Sequence, residues 1–287
     1  MPASGNTTAD RASPEIRVSI TVVMLFQVSA LIIRSFVQVQ MVEAGFDTVS
    51  AKHLSALVGF VVLSVLMWPI MIKVWSVIRE QFRRPASWTR MFLASVTLGV
   101  VLWLGQMLAL LGYSTVQWED EQHFSQLTSP IYIFACDNPM ILVLAFPVMS
   151  LLTPVVEEVI NRGLILQTLL RRGRTVAIMA SAFLFAVLHR FETIPFALVF
   201  GIFTATQMLH YRTLWAVTIT HGTANLLIET SRNCVDGFWL PGEITWGIGS
   251  PASMIALSLA ACTIIAWWLA TRVKAGAEPE MDHPGRR

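Results

Sequence analysis

The sequence predicts an all-α polytopic membrane protein with about eight transmembrane helices and a polar site buried in the bundle. Two observations predict this class. Hydrophobic residues make up 55% of the 287 residues and charged residues only 13%, whereas soluble domains carry about 25% charged residues. In addition, apolar runs of roughly 20 residues, the length that crosses a bilayer, account for most of the chain.

Charged residues and prolines at the ends of the apolar runs set the approximate limits of the helices. The predicted helices are 18–33 (with an extension to 42 as an alternative), 54–72, 91–111, 139–170, 175–190, 194–210, 213–231 and 251–270. The fourth run is too long for one crossing and contains Pro147 and Pro154. Proline kinks or breaks a helix, so we expect a short outer segment to Met149 and a true span at 150–170. A straight rod from Pro139 is the alternative.

This pattern leaves no room for a separate soluble domain. We expect five consecutive regions. They are a disordered cytoplasmic N-terminus at 1–17, N-terminal transmembrane helices with an outer loop at 18–137, a catalytic helical core at 138–231, an outer loop with the last helix at 232–270, and a disordered cytoplasmic tail at 271–287.

The loop charges predict the orientation of the helices, because cytoplasmic loops of membrane proteins are enriched in Lys and Arg. With the N-terminus in the cytoplasm, the opposite side receives only Arg34, Lys52, Arg190 and Arg232, while Arg162 lies inside a helix. The other 15 of the 20 basic residues then face the cytoplasm. We therefore expect a multi-pass protein of the cell membrane with both termini cytoplasmic. The basic residues form no stripe, so nucleic acid is not an expected partner.

Two cysteines lie on the predicted outer side. Cys136 precedes the fourth helix and Cys234 follows the seventh. A disulfide between them would brace these helices in an oxidising compartment, and two unrelated thiols are the alternative. Cys262, in the last predicted helix, is expected to be a small core residue.

Three polar clusters lie inside or at the edges of the apolar runs, where ionisable groups are costly and are functional by default. The clusters are Glu157-Glu158 with Arg162, Phe185 with His189, and His221 with Asn225. Glu158 and Arg162 are four residues apart and share a helix face, so they can pair. Glu157 points about 100° away from that pair and remains available as a general base acting on water. A helix end that reaches the lipid headgroups is the simpler alternative for these charges.

The two histidine clusters have the same four-residue spacing. Phe185 lies one turn before His189, and His221 lies one turn before Asn225. A single interfacial histidine explains His189 by itself, and buried His and Asn also serve as contacts between membrane helices, worth ~0.6–2 kcal/mol. That simpler interpretation fits poorly when both pairs occur together with two glutamates.

The motifs E-E-x-x-x-R, F-x-x-x-H and H-x-x-x-N, in this order on successive hydrophobic helices, resemble the CAAX prenyl protease type II and bacteriocin-processing (CPBP, Abi) family of intramembrane endopeptidases. The resemblance extends from about Leu142 to Leu227. One departure is Asn161, where family members often have an apolar or aromatic residue before the arginine.

The resemblance implies a role for each motif residue. Glu157 and His189 would activate water, and His221 and Asn225 would stabilise the oxyanion. Glu158 would pair with Arg162, and Phe185 would pack against His189 and set its ring. The implied catalytic set is therefore Glu157, Glu158, Arg162, His189, His221 and Asn225.

A metal is the open question of mechanism. Glu157, His189 and His221 are the residues that would hold zinc, a metal bound in hydrolytic sites by three protein ligands with one open position. The sequence contains no H-E-x-x-H, the usual helix-borne zinc spacing. A glutamate-based mechanism without a cofactor is therefore favoured, with zinc as the alternative.

The predicted function is hydrolysis of a peptide bond in a membrane-anchored or membrane-adjacent protein or peptide, with the lipid bilayer as the other partner. The predicted site lies toward the outer half of the membrane. A non-catalytic membrane scaffold or a bacteriocin-immunity type of peptide-binding protein is the alternative. A proton-coupled transporter ranks third, because the chain shows none of the repeat symmetry that is common in transporters.

Overall fold

The computed structural model describes residues 16–117, 143, 146–189 and 193–234, with the side chains of 49, 107–117 and 231–234 left aside. Within these residues the secondary structure is helical and contains no strand. The predicted last helix at 251–270, both predicted tails and the two alternatives for Cys136 and Cys234, unrelated thiols or a disulfide, lie outside the described residues and side chains.

The first three helices are α1 (Ile20–Glu43), α2 (Thr48–Gln81) and α3 (Trp88–Gln117). The Ser19 side chain caps the start of α1 and the Asp47 carboxylate accepts a hydrogen bond from the Ser50 N–H at 2.8 Å, as expected of helix N-caps. All three helices are longer than the apolar runs that predicted them. A hydropathy pattern marks the stretch that lipid can surround, whereas backbone hydrogen bonding continues into the polar residues beyond it.

The fourth helix, α4, has an unusual winding. It comprises π-helical Phe146–Leu152, α-helical Thr153–Glu158, π-helical Val159–Leu166, α-helical Gln167–Leu169 and a 3₁₀ turn at Leu170–Arg172. The chain is thus helical through Met149 and Ser150, where the sequence predicted a break. Pro147 and Pro154 are accommodated by wider turns, and π-helical turns are often found at functional sites.

Three further helices complete the described structure: α5 (Arg174–Ala186), α6 (Ile194–Tyr211) and α7 (Leu214–Cys234). α1 packs against α2, and α5 packs against α6. α7 contacts α3, α4 and α6, so it lies inside the bundle. This position explains why α7 carries polar side chains along much of its length.

A buried polar network fixes α7 against its neighbours. The Gln207 side-chain amide donates to the Ser95 hydroxyl at 3.0 Å. The Thr220 hydroxyl lies 3.0 Å from both the Ser95 carbonyl and the Gln207 side-chain oxygen. α3, α6 and α7 are therefore joined one residue before His221, which restricts the position of that histidine.

Four helices of the described part are long and apolar enough to cross a membrane: Ile20–Glu43, Ser50–Gln81, Trp88–Gln106 and Ile194–Tyr211. Two of the remaining helices, α4 and α7, carry the polar clusters, which lower their hydropathy. The start of α7 lies beside the end of α2, because the Thr213 hydroxyl donates to the Arg83 carbonyl at 3.0 Å and the Trp215 indole donates to the Phe82 carbonyl at 2.7 Å. The arginines of both connections therefore lie at the same end of the bundle. The histidine clusters lie away from this arginine-rich end.

Candidate active site

A cavity of about 570 Å³ lies between the α1–α2 hairpin and the helices that carry the motifs. Its first wall, formed by α1 and α2, contributes Gln27, Arg34 and Gln38 as polar side chains. We call this the hairpin wall. Its second wall, the motif wall, contributes Glu157, Asn161, His189, His221, Asn225 and Glu229. Four of the six predicted catalytic residues therefore line this cavity, and the other two, Glu158 and Arg162, are buried behind it.

Glu158 and Arg162 form the expected ion pair on one face of α4. The Arg162 Nε lies 3.1 Å from the Glu158 Oε2, and both side chains are completely buried. The Arg162 guanidinium also donates to the Thr204 hydroxyl and, at 3.4 Å, to the Gly201 carbonyl. Breaking such a buried pair leaves an uncompensated charge. Glu158 thus holds Arg162 in place, and the hydrogen bonds of Arg162 to Thr204 and Gly201 join α4 to α6.

His221 lies between the two glutamates. Its Nδ1 is 2.8 Å from the Glu158 Oε1, and its Nε2 is 3.8 Å from the Glu157 Oε2. Because Arg162 pairs with Glu158, the carboxylate is the acceptor and the Nδ1–H of His221 is the donor. The hydrogen bond on one ring nitrogen determines what the other can do. Glu158 therefore directs the His221 Nε2 toward Glu157.

Aromatic rings enclose both histidines. The Phe185 ring centroid is 4.5 Å from that of His189 and 6.0 Å from that of His221. The Phe200 ring lies edge-on to His221 at 4.9 Å, and the Arg162 Cζ lies 4.5 Å above the Phe185 ring. Phe185 thus contacts three motif side chains, whereas the sequence predicted a contact with His189 alone.

His189 follows the C-terminal end of α5, and one of its ring nitrogens faces the backbone of that helix. Its Nδ1 is 3.0 Å from the Phe185 carbonyl oxygen, so an Nδ1–H donor leaves Nε2 as an acceptor on the cavity side. His189 and Glu157 line the same cavity. No hydrogen bond or ion pair joins these two described side chains, and space for solvent lies on the cavity side of both.

Asn225 links α7 to the proline-containing turn of α4. Its side-chain N–H₂ donates to the Met149 carbonyl at 2.8 Å. In a π-helical turn the partner of that carbonyl is the amide of residue 154, which is proline and has no N–H. Pro154 therefore leaves a backbone acceptor that Asn225 satisfies. The second N–H of the carboxamide remains available on the cavity side.

Gly222 allows α7 to approach α4 this closely. A Cβ atom at this position would lie 2.6 Å from the Ser150 carbonyl oxygen, inside any acceptable contact. His221 precedes this glycine and Asn225 follows it by three residues. The sequence analysis missed Gly222, although a glycine directly after a motif histidine is a recognisable sign of close backbone approach.

Asn161, the departure noted in the motif, has a local role. Its side-chain N–H₂ donates to the Glu157 carbonyl at 2.8 Å, within the π-helical part of α4. This contact ties the backbone of Glu157 to the next turn.

A second charged cluster joins the hairpin to α7 and was not predicted. The Lys52 Nζ lies 2.8 Å from both carboxylate oxygens of Glu229, and the His53 Nε2 lies 3.9 Å from the second of them. His53 and Glu229 are 1% and 4% exposed. Glu229 lies four residues after Asn225 and eight after His221, so helical spacing was the signal that could have placed it on the site face of α7.

The donor set does not fit a metal site. In the described part of the chain, no group of three or more His, Cys, Asp or Glu side chains is arranged to hold a metal ion. Glu157, His189 and His221, the predicted zinc ligands, border one cavity without forming such a group.

Comparison with known proteins identifies the part of the chain that carries these motifs. Residues 139–227 match the family model described as Type II CAAX prenyl endopeptidase Rce1-like. Comparisons with curated proteins and with solved structures returned no match. The match includes all three motifs and ends before Glu229, and the α1–α2 hairpin lies outside it. Residues 139–227 are therefore similar to the Rce1-like type II CAAX prenyl endopeptidases, as the order of the motifs indicated.

Proposed function

We propose that the protein is an intramembrane endopeptidase that hydrolyses a peptide bond in a membrane-anchored or membrane-adjacent protein or peptide. One observation carries the proposal. Of two neighbouring glutamates, Glu158 is completely buried in an ion pair, whereas Glu157 is 28% exposed in its side chain and lines a cavity with two histidines. A carboxylate so placed is suited to act on a bound water.

Glu157 and His189 would activate that water. Both residues line the cavity. Among the described residues, the one ion-pair contact of Glu157 is with the His221 Nε2, at 3.8 Å. Glu157 takes a proton from water as the hydroxide adds to the scissile carbonyl carbon, and His189 accepts the second hydrogen bond of the same water. A positioned general base typically contributes about 10²- to 10⁴-fold.

Asn225 and His221 would stabilise the oxyanion that this addition creates. The free N–H of the Asn225 carboxamide can donate to it, while the other N–H holds Met149. The His221 Nε2 can donate only when the ring carries both protons, because its Nδ1–H is committed to Glu158. The proton on Glu157 then passes to the leaving amine as the C–N bond breaks, and the two products are a carboxylate and an amine.

The proposed orientation follows the arginine-rich end of the bundle. Arg83, Arg84, Arg171, Arg172 and Arg212 lie in the connections at that end, which is typical of the cytoplasmic side. The motif side chains lie away from it. We therefore place both termini in the cytoplasm and the opening of the site in the outer half of the membrane.

The test is cleavage of membrane-anchored peptides by the purified full-length protein in lipid nanodiscs, with and without chelator. Glu157→Gln and His189→Ala are each expected to lower the cleavage rate about 100-fold or more, because each removes a group that positions or deprotonates water. The matched control is Glu43→Gln, since Glu43 is an exposed carboxylate at the end of α1 and does not line the cavity.

The outcomes separate the candidate functions. Loss of cleavage in both variants, with Glu43→Gln active and chelator without effect, supports the metal-free protease. Loss of activity in chelator favours zinc. Peptide binding without cleavage by the wild type, unchanged by Glu157→Gln, contradicts the proposal and favours the non-catalytic peptide-binding alternative.

A further inference from the structure

Arg34 is a charged residue in the apolar helix α1 whose guanidinium faces the cavity. It lines the cavity together with Glu157 and His221, and its side chain is partly buried. It makes no hydrogen bond or ion pair with any residue that the structure describes. An arginine at membrane depth is costly and normally has a partner, so a group that enters the cavity is a candidate partner for Arg34.

The other arginine and lysine side chains near the cavity already have partners. Arg162 pairs with Glu158, and Lys52 pairs with Glu229. Among the described residues, Arg34 is the only arginine or lysine that lines the cavity. Glu157 and Glu229 attract Arg34 electrostatically from a distance, which keeps the guanidinium on the cavity side without occupying its N–H donors.

The stem of Arg34 is positioned by a glycine on α2. A Cβ atom at Gly59 would lie 3.1 Å from the Arg34 Cβ and 3.5 Å from its Cγ and Cδ. The absence of a side chain at Gly59 therefore leaves space for the aliphatic part of the Arg34 side chain. Gln38, four residues later on α1, and Gln27, seven residues earlier, line the same cavity.

The hairpin wall and the motif wall face each other across the cavity, so a peptide held at Glu157 also contacts the hairpin wall. A guanidinium presents a planar fork of N–H donors that matches a carboxylate in two hydrogen bonds. We propose that Arg34 binds a carboxylate of the substrate, so that the enzyme selects peptides with an anionic group at the position that meets the hairpin wall. This inference rests on the proposed protease function and names the substrate chemistry of the same cavity.

Two other roles for Arg34 make different predictions. A counter-ion that only acts on Glu157 would affect all substrates equally. A site for a lipid phosphate would depend on the membrane composition and not on the peptide. The carboxylate has two sources, an acidic side chain and the C-terminus of the substrate, and peptide pairs distinguish them.

The experiment measures kcat/KM for two pairs of membrane-anchored peptides in phosphatidylcholine nanodiscs. One pair exchanges an acidic side chain for its amide, and the other exchanges a C-terminal carboxylate for a carboxamide. The enzymes are the wild type, Arg34→Gln, Arg34→Lys and the control Arg171→Gln, which removes the same charge at an exposed position away from the cavity.

The wild type is expected to prefer the carboxylate member of one pair by roughly 10- to 100-fold, the range for a hydrogen-bonded charge pair. Arg34→Gln loses this preference while its rate on the neutral member changes less than about threefold, a difference too small to reflect damage to the fold. Arg34→Lys keeps part of the preference, since it retains the charge but not the fork. Arg171→Gln behaves as the wild type.

Three results overturn the inference: a wild type without carboxylate preference, an Arg34→Gln variant that is slowed equally on both members, or a dependence on Arg34 that appears only when phosphatidylglycerol is added. Binding of the same four peptides to Glu157→Gln provides a readout without cleavage. If the wild type cuts none of the peptides but the carboxylate members bind Glu157→Gln more tightly and require Arg34, the protease proposal fails and the carboxylate site stands.

Discussion

The two walls of the cavity hold their charges in different ways. On the motif wall, Glu158 contacts both Arg162 and His221, and all three side chains are buried and fixed by short contacts. On the hairpin wall, Arg34 lines the cavity and has no hydrogen bond or ion pair with a described residue. The side chains of the motif wall are held in a fixed geometry, whereas Arg34 on the hairpin wall is available to bind a group that enters the cavity.

The difference coincides with the limits of the family match. Residues 139–227 contain the motif wall, except for Glu229, while the hairpin wall lies outside the match. We infer that the matched stretch carries the chemistry and that the hairpin sets which peptides reach it. The predictions below test this division, from the largest expected effect to the smallest.

Replacing Glu158 by Gln is expected to have the largest effect on stability. The substitution leaves Arg162 buried without its counter-ion, which typically costs about 3–5 kcal/mol, and replaces the charged acceptor that orients His221 by a neutral amide oxygen. The free energy of unfolding in detergent and the cleavage rate should both fall. Glu43→Gln is again the control. Unchanged stability in Glu158→Gln would show that Arg162 does not need Glu158 as its counter-ion.

A comparison of two glycines separates the walls by their tolerance to an added methyl group. In Gly222→Ala the new Cβ meets a backbone carbonyl at 2.6 Å, whereas in Gly59→Ala it meets the flexible Arg34 side chain at 3.1 Å. Overpacking against a fixed group costs about 1–3 kcal/mol. We expect lower thermal stability and less cleavage in Gly222→Ala and a near-wild-type melting temperature in Gly59→Ala. Equal melting temperatures for the two variants would contradict the close approach of α7 to α4.

The Lys52–Glu229 pair is expected to affect stability without affecting the chemistry. Lys52→Met leaves Glu229 4% exposed and without its main cation, which costs about 1–3 kcal/mol. The double variant Lys52→Met with Glu229→Gln should recover most of this loss, and the cleavage rate per folded molecule should stay near that of the wild type in both. Failure of the double variant to recover stability would show that the pair is not the origin of the loss.

The sequence predicted the contacts that depend on spacing within one helix. Four-residue spacing placed Glu158 beside Arg162 and Phe185 beside His189, and both contacts are present. The order of the motifs also predicted the family, which the match to residues 139–227 confirms. The catalytic roles of the motif residues remain predictions.

Contacts between different helices could not be predicted from residue spacing. The partner of His221 is Glu158 because Gly222 allows α7 to approach the turn of α4 at Pro154, and that distance is a property of packing. The sequence assigned Arg34 and Lys52 only to a side of the membrane, since hydropathy does not tell which face of an apolar helix meets a cavity. Winding of α4 into π-helical turns likewise depends on how Asn225 satisfies the Met149 carbonyl.

Glu157 and Glu158 are adjacent and chemically identical, yet we propose a catalytic role for Glu157 and a structural role for Glu158. The most direct test measures thermal unfolding and peptide cleavage for Glu157→Gln and Glu158→Gln side by side in the same nanodiscs. We expect Glu157→Gln to keep the wild-type melting temperature and lose cleavage by about 100-fold or more, and Glu158→Gln to lower the melting temperature. A folded Glu157→Gln protein that cleaves peptides at the wild-type rate would contradict the assignment of Glu157 as the base.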